Sequence, residues 1–284
     1  MQTTPLHADF GVEIHGVDLT TVTEDASYPE IRQAFEEHSL LLFRDQALDD
    51  PAILRFGAMF GEIENRTDGP LEVPRVSNVL PDGSVLEPDA LRLKDLQANM
   101  LWHTDSTFLP VPALANIITA RIVPDEGGAT ELVSTRAGFA RLPDDLKTKA
   151  KQAVLRHALT HSRAKVDPDL AKAAHITKWD TTRWPAVWTN PVTGAEALYI
   201  ASHAFAVDGM EDADGLAFIE DLIERMTVPE AIYAHQWQVG DVLIWDERAT
   251  LHRGMPWPYD QARELASICI TASDSDGVAE MRAA

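Results

Sequence analysis

Hydrophobic residues recur along this chain with two periods, which divide it into amphipathic helices and short strands. Ile31, Ala34, Phe35 and His38 fall at helical spacing and predict a helix over 30–38. His38 ends that apolar stripe and reads as a packed or rim histidine. Asp50-Pro51 supplies an N-cap and first position for a second helix ending at Gly61, with Ile53, Phe56 and Phe60 inward. Ser134 can cap a short helix, and Leu142-Pro-Asp-Asp145 starts another with Leu146, Ala150, Ala153 and Val154 on its inner face. Leu216, Ile219, Leu222, Ile223 and Met226 mark one more. Strands are expected at 11–19, 40–43, 75–80, 114–123, 156–163, 184–189 and 197–202. Two more lie within 234–246, joined at Val239-Gly-Asp241. Residues 247–251 would then connect to His252.

Short strands, Gly and Pro turns, and helices confined to the flanks predict a mainly β fold with flanking helices, a double-stranded β-helix or jelly roll. One domain spanning 1–284 is expected. The stretch 85–100 lacks periodicity and is a lid candidate, with an ordinary surface loop as the plain alternative. The polar insertion 164–183, with His175 and Trp179, either covers a site or forms the contact of a homo-oligomer. After Ser273 the chain is small and acidic, and a loose tail is expected.

Composition narrows the partners. The 284 residues are 45% apolar and carry a net charge of −21, which disfavours nucleic acid and anionic lipid. An anionic substrate would therefore need local positive charge. The single cysteine, Cys269, excludes an intrachain disulfide and suits a reducing, cytoplasmic compartment. No apolar run reaches membrane-spanning length and no secretory leader pattern opens the sequence.

Candidate chemistry begins at Asn99-Met-Leu-Trp-His-Thr-Asp-Ser-Thr-Phe108. In an extended strand, His103 and Asp105 would point to one face and offer half a metal site. His-x-Asp alone is weak, because His7-Ala-Asp9 repeats it at a terminus expected to be loose. Downstream the two differ. Twenty-four residues separate Asp105 from Thr130, 121 separate Thr130 from His252, and 10 separate His252 from Arg263. Two histidines and one carboxylate form a facial triad typical of non-heme iron(II) oxygenases. Thr130 on its own would be an ordinary β-branched strand residue.

This array of His-x-Asp, Thr, His and Arg resembles the taurine and 2,4-D dioxygenase family of Fe(II)- and 2-oxoglutarate-dependent oxygenases. The likeness runs from Gly11-Val-Glu-Ile-His-Gly-Val-Asp-Leu19 to the segment around Arg263. It implies that His103, Asp105 and His252 hold Fe(II), and that Thr130 and Arg263 bind the distal carboxylate of 2-oxoglutarate. O2 would be consumed, with release of CO2 and succinate and hydroxylation of a small organic substrate. Trp245 either fills the core or, as in the family, borders the iron.

For the substrate, Asn99 stands where the family's taurine enzyme has a contacting Asn, and Ser202-His-Ala-Phe205 resembles a segment of the phenoxyacetate enzymes with a histidine near the substrate. His203 is thus either a contact or a plain strand-end histidine. One departure counts: where anion-binding members carry a second arginine, four residues after the position of Arg263, this chain has Ser267. Arg163, Arg248 or His203 would have to replace it, unless the substrate is not held by an anion. The expected substrate is an aryloxyalkanoate cleaved at its ether after hydroxylation, with a sulfonate, a sulfate ester or a neutral or cationic metabolite as alternatives. Two remoter readings are a zinc hydrolase, which has no need of Thr130 and Arg263, and a non-catalytic jelly-roll binding protein.

Overall fold

The computed structural model describes residues 1–67 and 69–283. Seven strands form one sheet in the order Gln2–Pro5, Val12–His15, Leu40–Phe43, Val242–Asp246, Ala113–Ile122, Glu264–Thr271 and Arg75–Ser77. Its central strands are apolar at nearly every position because both faces are covered. Alternation sorts the two sets. Leu41, Phe43, Ile117, Ile244, Ile268 and Ile270 pack against Ile31, Phe35, Ile53, Phe56 and Phe60 of the helices Tyr28–His38 and Asp50–Phe60. Leu40, Leu42, Ile118, Leu243, Trp245 and Leu265 join Leu132 and Trp237 on the other side.

Leu132 belongs to a second, three-stranded sheet in the order Tyr233–His235, Thr130–Ser134 and Thr250–Gly254. Site residues come from both sheets. A third cluster lies outside the small sheet, where Phe218, Ile219, Leu222 and Met226 of the helix Asp212–Met226 join Val133, Phe139 and Leu251.

Several expectations change on folding. Asp49, not Asp50, caps the second helix, its side chain accepting from the Ala52 amide at 2.8 Å. Ser134 caps Thr135–Arg141 as expected, accepting from the Ala137 amide at 3.1 Å. The strand expected at 156–163 is instead Val154–His157 followed by the helix Leu159–Ala164, so Val154 leaves the preceding helix. The stretch 85–100 holds a helix, Leu91–Ala98, whose weakly amphipathic sequence hid it. Residues 197–202 are extended only over Glu196–Leu198, and residues 247–251 are a connector only until Thr250.

Among the described residues both ends of the chain are packed in regular structure rather than loose. Gln2–Pro5 pairs with Val12–His15, and after Ser273 a capping box leads into the helix Val278–Ala283, which buries Val278 and Met281. Among the described residues, no helix is long and apolar enough to cross a membrane.

Candidate metal and cosubstrate site

The strand Thr250–Gly254 sets His252 opposite Leu132 and Gly254 opposite Thr130. His103 joins the other edge of that strand by exchanging two hydrogen bonds with His252, at 3.0 and 2.9 Å. The segment is not the extended strand expected from the spacing. After an isolated bridge at His103 the chain turns, Ser106 takes a φ of 60°, and the Asp105 amide donates to Glu247 Oε2 at 2.9 Å. Convergence survives through that turn. His103 Nε2 and His252 Nε2 each lie 3.8 Å from an Asp105 oxygen, and one ligand atom from each residue falls within 4.8 Å of the others.

Local bonds fix which atoms face the centre. His103 Nδ1 lies 2.7 Å from the Leu101 carbonyl, so Nδ1 carries the proton and Nε2 keeps its lone pair. Asp105 Oδ2 accepts from Asn116 at 2.7 Å, and Asn116 Oδ1 accepts from Ser267 at 2.9 Å. Glu247 accepts from Trp245 Nε1 at 2.6 Å. Burial, reinforced by His103, pushes His252 down to about 3, and burial also lowers His103. Both imidazoles are thus neutral and able to bind a cation. Burial opposes ionisation of Asp105, yet its carboxyl is held well below the usual range by attraction to His252 and His103 whenever those rings are protonated, by the Arg66 charge, and by the hydrogen bond from Asn116.

In the same cavity, of about 470 Å³, stand Thr130 and Arg263. Gly127 and Gly128 carry the chain there at φ of 73° and 67°. A Cβ on Gly128 would come within 2.9 Å of Arg263 Nε, so glycine admits the guanidinium. Arg263 is 3% exposed, donates to Gly128 O at 3.2 and 2.9 Å and stacks on Trp257 at 4.9 Å. Among the described residues, no carboxylate lies within ion-pair distance of it. Burial pushes its pKa down to about 10. A buried cation without a counter-ion is costly, and an incoming anion would relieve that cost.

Residues 2–269 match the family model described as taurine catabolism dioxygenase TauD, TfdA family. The chain belongs to this family. It is similar to the (S)-phenoxypropionate/alpha-ketoglutarate-dioxygenase of Sphingobium herbicidovorans, at 35% identity over 91% of each chain. Against the alpha-ketoglutarate-dependent 2,4-dichlorophenoxyacetate dioxygenase of Cupriavidus pinatubonensis it is 33% identical, covering 92% of this chain and 94% of that one. The crystal structure of AAD-2 in complex with Mn(II) and N-oxalylglycine superposes with a TM-score of 0.90 at 29% identity, over 96% of this chain and 98% of that one. The protein is accordingly a 2-oxoglutarate-dependent dioxygenase of the TauD/TfdA family, which uses Fe(II), 2-oxoglutarate and O2.

Membership in the TauD/TfdA family leaves the substrate side to be read from geometry. Asn99, His203 and Ser267 all line the cavity. The His203 ring lies 6.1 Å from that of His103 and 5.2 Å from that of Phe108, while its Nδ1 contacts Ser162 Oγ at 2.7 Å. Ser267 is committed to Asn116, and the Asn99 carbonyl accepts from the Gly254 amide at 2.9 Å. Arg163 lines the cavity but is paired with Asp95 at 2.9 Å. Arg248 is not there at all: it is locked between Asp246 and Glu36, and is corrected from a substrate candidate to a framework residue.

Arg66 has no signal in the sequence. It reaches the cavity from the segment beside Cys269, with its guanidinium held by Glu64 and Ser106 and 5.5 Å from the Phe108 ring. No spacing rule connects it to the triad. Asn116 does carry a signal, as the one amide in a strand otherwise apolar over 113–118.

Proposed function

We propose that this protein hydroxylates an aryloxyalkanoate, with His103, Asp105 and His252 holding Fe(II) and Thr130 and Arg263 holding the distal carboxylate of 2-oxoglutarate. The observation that carries the cosubstrate reading is the buried Arg263 guanidinium, which has no counter-ion among the described residues and shares a cavity with three convergent ligands. The donor set fits: neutral imidazoles and an ionised carboxylate suit a divalent iron, and Arg presents a planar fork to a carboxylate. Iron, 2-oxoglutarate and O2, when bound, would supply the oxidation of the C–H bond beside the ether oxygen, with release of CO2 and succinate. The chain's own residues orient and enclose. Leu101 O fixes the His103 tautomer, Asn116 and Glu247 aim Asp105, and Phe108 and His203 wall the space beside the triad.

Support for an aryloxyalkanoate comes from the relatives' substrates and from Arg66 on the cavity wall beside Cys269, whose guanidinium pairs with Glu64 through Nε and keeps further N–H donors for an anion. Phe108 would offer an aromatic face. A sulfonate or sulfate ester fits the same cation and is the alternative. We take 1–284 as one jelly-roll domain, supported by two sheets that both contribute to the site, and the cytoplasm as its compartment, supported by the lone thiol. The acidic surface fits a small-molecule partner rather than nucleic acid.

Anaerobic addition of Fe(II) and 2-oxoglutarate is expected to produce a weak visible absorption band. His103→Ala should abolish it and His7→Ala should leave it intact. Absence of the band together with absence of 2-oxoglutarate binding by calorimetry would defeat the site assignment.

A substrate panel of phenoxyacetate, the 2-phenoxypropionate enantiomers, taurine, alkyl sulfates and cationic analogues, scored by succinate release coupled to substrate loss, is expected to rank aryloxyalkanoates first and taurine last. Arg66→Gln should raise KM for the best carboxylate on the order of tenfold, as loss of a charge-assisted contact does, with 2-oxoglutarate affinity unchanged. A cationic winner would overturn the substrate while sparing the chemistry.

A further inference from the structure

Behind Thr130 lies a buried polar chain that the metal and cosubstrate assignments do not use. Trp237 Nε1 donates to Thr130 Oγ1 at 3.0 Å, with Trp237 7% and Thr130 5% exposed. The indole is held edge-to-face on His235, with ring centres 4.5 Å apart at 87°. His235 is itself fixed at both nitrogens, by Asp241 Oδ2 at 3.0 Å and Tyr233 OH at 3.1 Å, and Asp241 is tied to Arg44 at 2.5 Å. Strand pairing adds register, since His235 lies opposite Thr130.

We propose that Trp237 is a positioning residue that sets the polarity of the Thr130 hydroxyl and thereby selects an acceptor, a carboxylate, at the far end of the cosubstrate. This rests on the cosubstrate reading above. A hydroxyl has one proton and two lone pairs, whereas an indole N–H only donates. Thr130 Oγ1 must therefore accept from Trp237, and its own proton is left to donate elsewhere. Among the described residues nothing accepts that proton, and the neighbouring Arg263 also only donates. Two donors thus meet a ligand end with no protein acceptor opposing them. A carboxylate accepts from both and neutralises the guanidinium; a hydroxyl can accept but brings no charge and a proton of its own with no acceptor, and an ammonium cannot accept at all. His235 acts at one remove by holding the indole plane; because both of its ring nitrogens are engaged, it turns neither itself nor the indole.

Calorimetry of 2-oxoglutarate binding to the Mn(II)-loaded protein tests this without turnover, using wild type, Trp237→Phe, Thr130→Val and the double variant. Trp237→Phe is expected to weaken 2-oxoglutarate roughly fivefold to tenfold, the scale of one ordinary neutral hydrogen bond. In the Thr130→Val background the same change should do nothing further. Pyruvate, which lacks the distal carboxylate, should bind wild type and Trp237→Phe alike. Should Trp237→Phe fail to fold, benzothienylalanine incorporated at 237 removes the N–H and keeps the ring size, with the same losses expected. An unchanged affinity, an equal loss in the Thr130→Val background, or an equal loss for pyruvate would show that Trp237 acts by packing and would overturn the inference. Failure of wild type to bind 2-oxoglutarate would overturn the cosubstrate reading and this inference with it.

Discussion

Arg263→Met is expected to weaken 2-oxoglutarate by about 3–5 kcal/mol, a hundredfold or more in affinity, while leaving the fold nearly as stable as before. The affinity is lost because the distal carboxylate would be buried without its partner. Stability is spared for a different reason. Burial pushes Arg263 down to about 10, and for a base a lowered pKa means that the folded state holds the charge at a cost, about 1.4 kcal/mol per unit. That cost applies at every pH below 10 and fades only as pH rises beyond it, where the unfolded chain alone still binds the proton. Removing the charge removes the cost, and loss of the two bonds to Gly128 O offsets the gain by roughly 1–3 kcal/mol. Calorimetric titration and thermal melts with and without 2-oxoglutarate check both halves. The ligand should raise the melting temperature of wild type but not of the variant. A variant that still binds within about threefold would move the carboxylate to another residue.

Arg248→Met is expected to do the reverse, costing about 3–5 kcal/mol of stability and lowering the melting temperature on the order of 10 °C. Arg248 is as buried as Arg263, at 1% exposed, yet it is fully engaged. It donates to Asp246 at 2.8 and 3.0 Å, to Glu36 at 2.7 Å and to the Asp276 carbonyl at 3.3 Å. Removing it leaves Asp246, at the turn between the strands Val242–Asp246 and Thr250–Gly254, without its cation. That turn carries Glu247 and leads to His252, so metal affinity should fall with stability. Denaturation midpoints measured beside metal titrations test this, and a loss of stability under about 1 kcal/mol would show that the network relaxes around the gap.

These two arginines look alike in sequence. Each stands beside a glutamate at the edge of a strand, and although Asp246 lies two residues before Arg248, nothing local says that one meets a further, distant carboxylate and the other none. Their opposite roles were decided by which distant segments fold against them: Glu36 from the first long helix for Arg248, and the glycine turn at 127–128 for Arg263.

What the sequence determined by itself was whatever depends on period and interval. Leu40–Phe43 was legible because it is apolar on both faces, and the long helices because their stripes repeat every turn. His103, Asp105, Thr130, His252 and Arg263 were legible through fixed spacings that match a known array, and the structure brings all five to one cavity. The tertiary structure alone decided the rest, because contacts between residues far apart in the chain leave no local pattern. It folded the His103 segment as a bridge and turn rather than a strand, joined Ser267 to Asp105 through Asn116, brought Arg66 to the cavity wall, packed the acidic tail, and withdrew Arg248 into the framework. Period reports which face of an element is buried; only the packed sheets fix what that face meets.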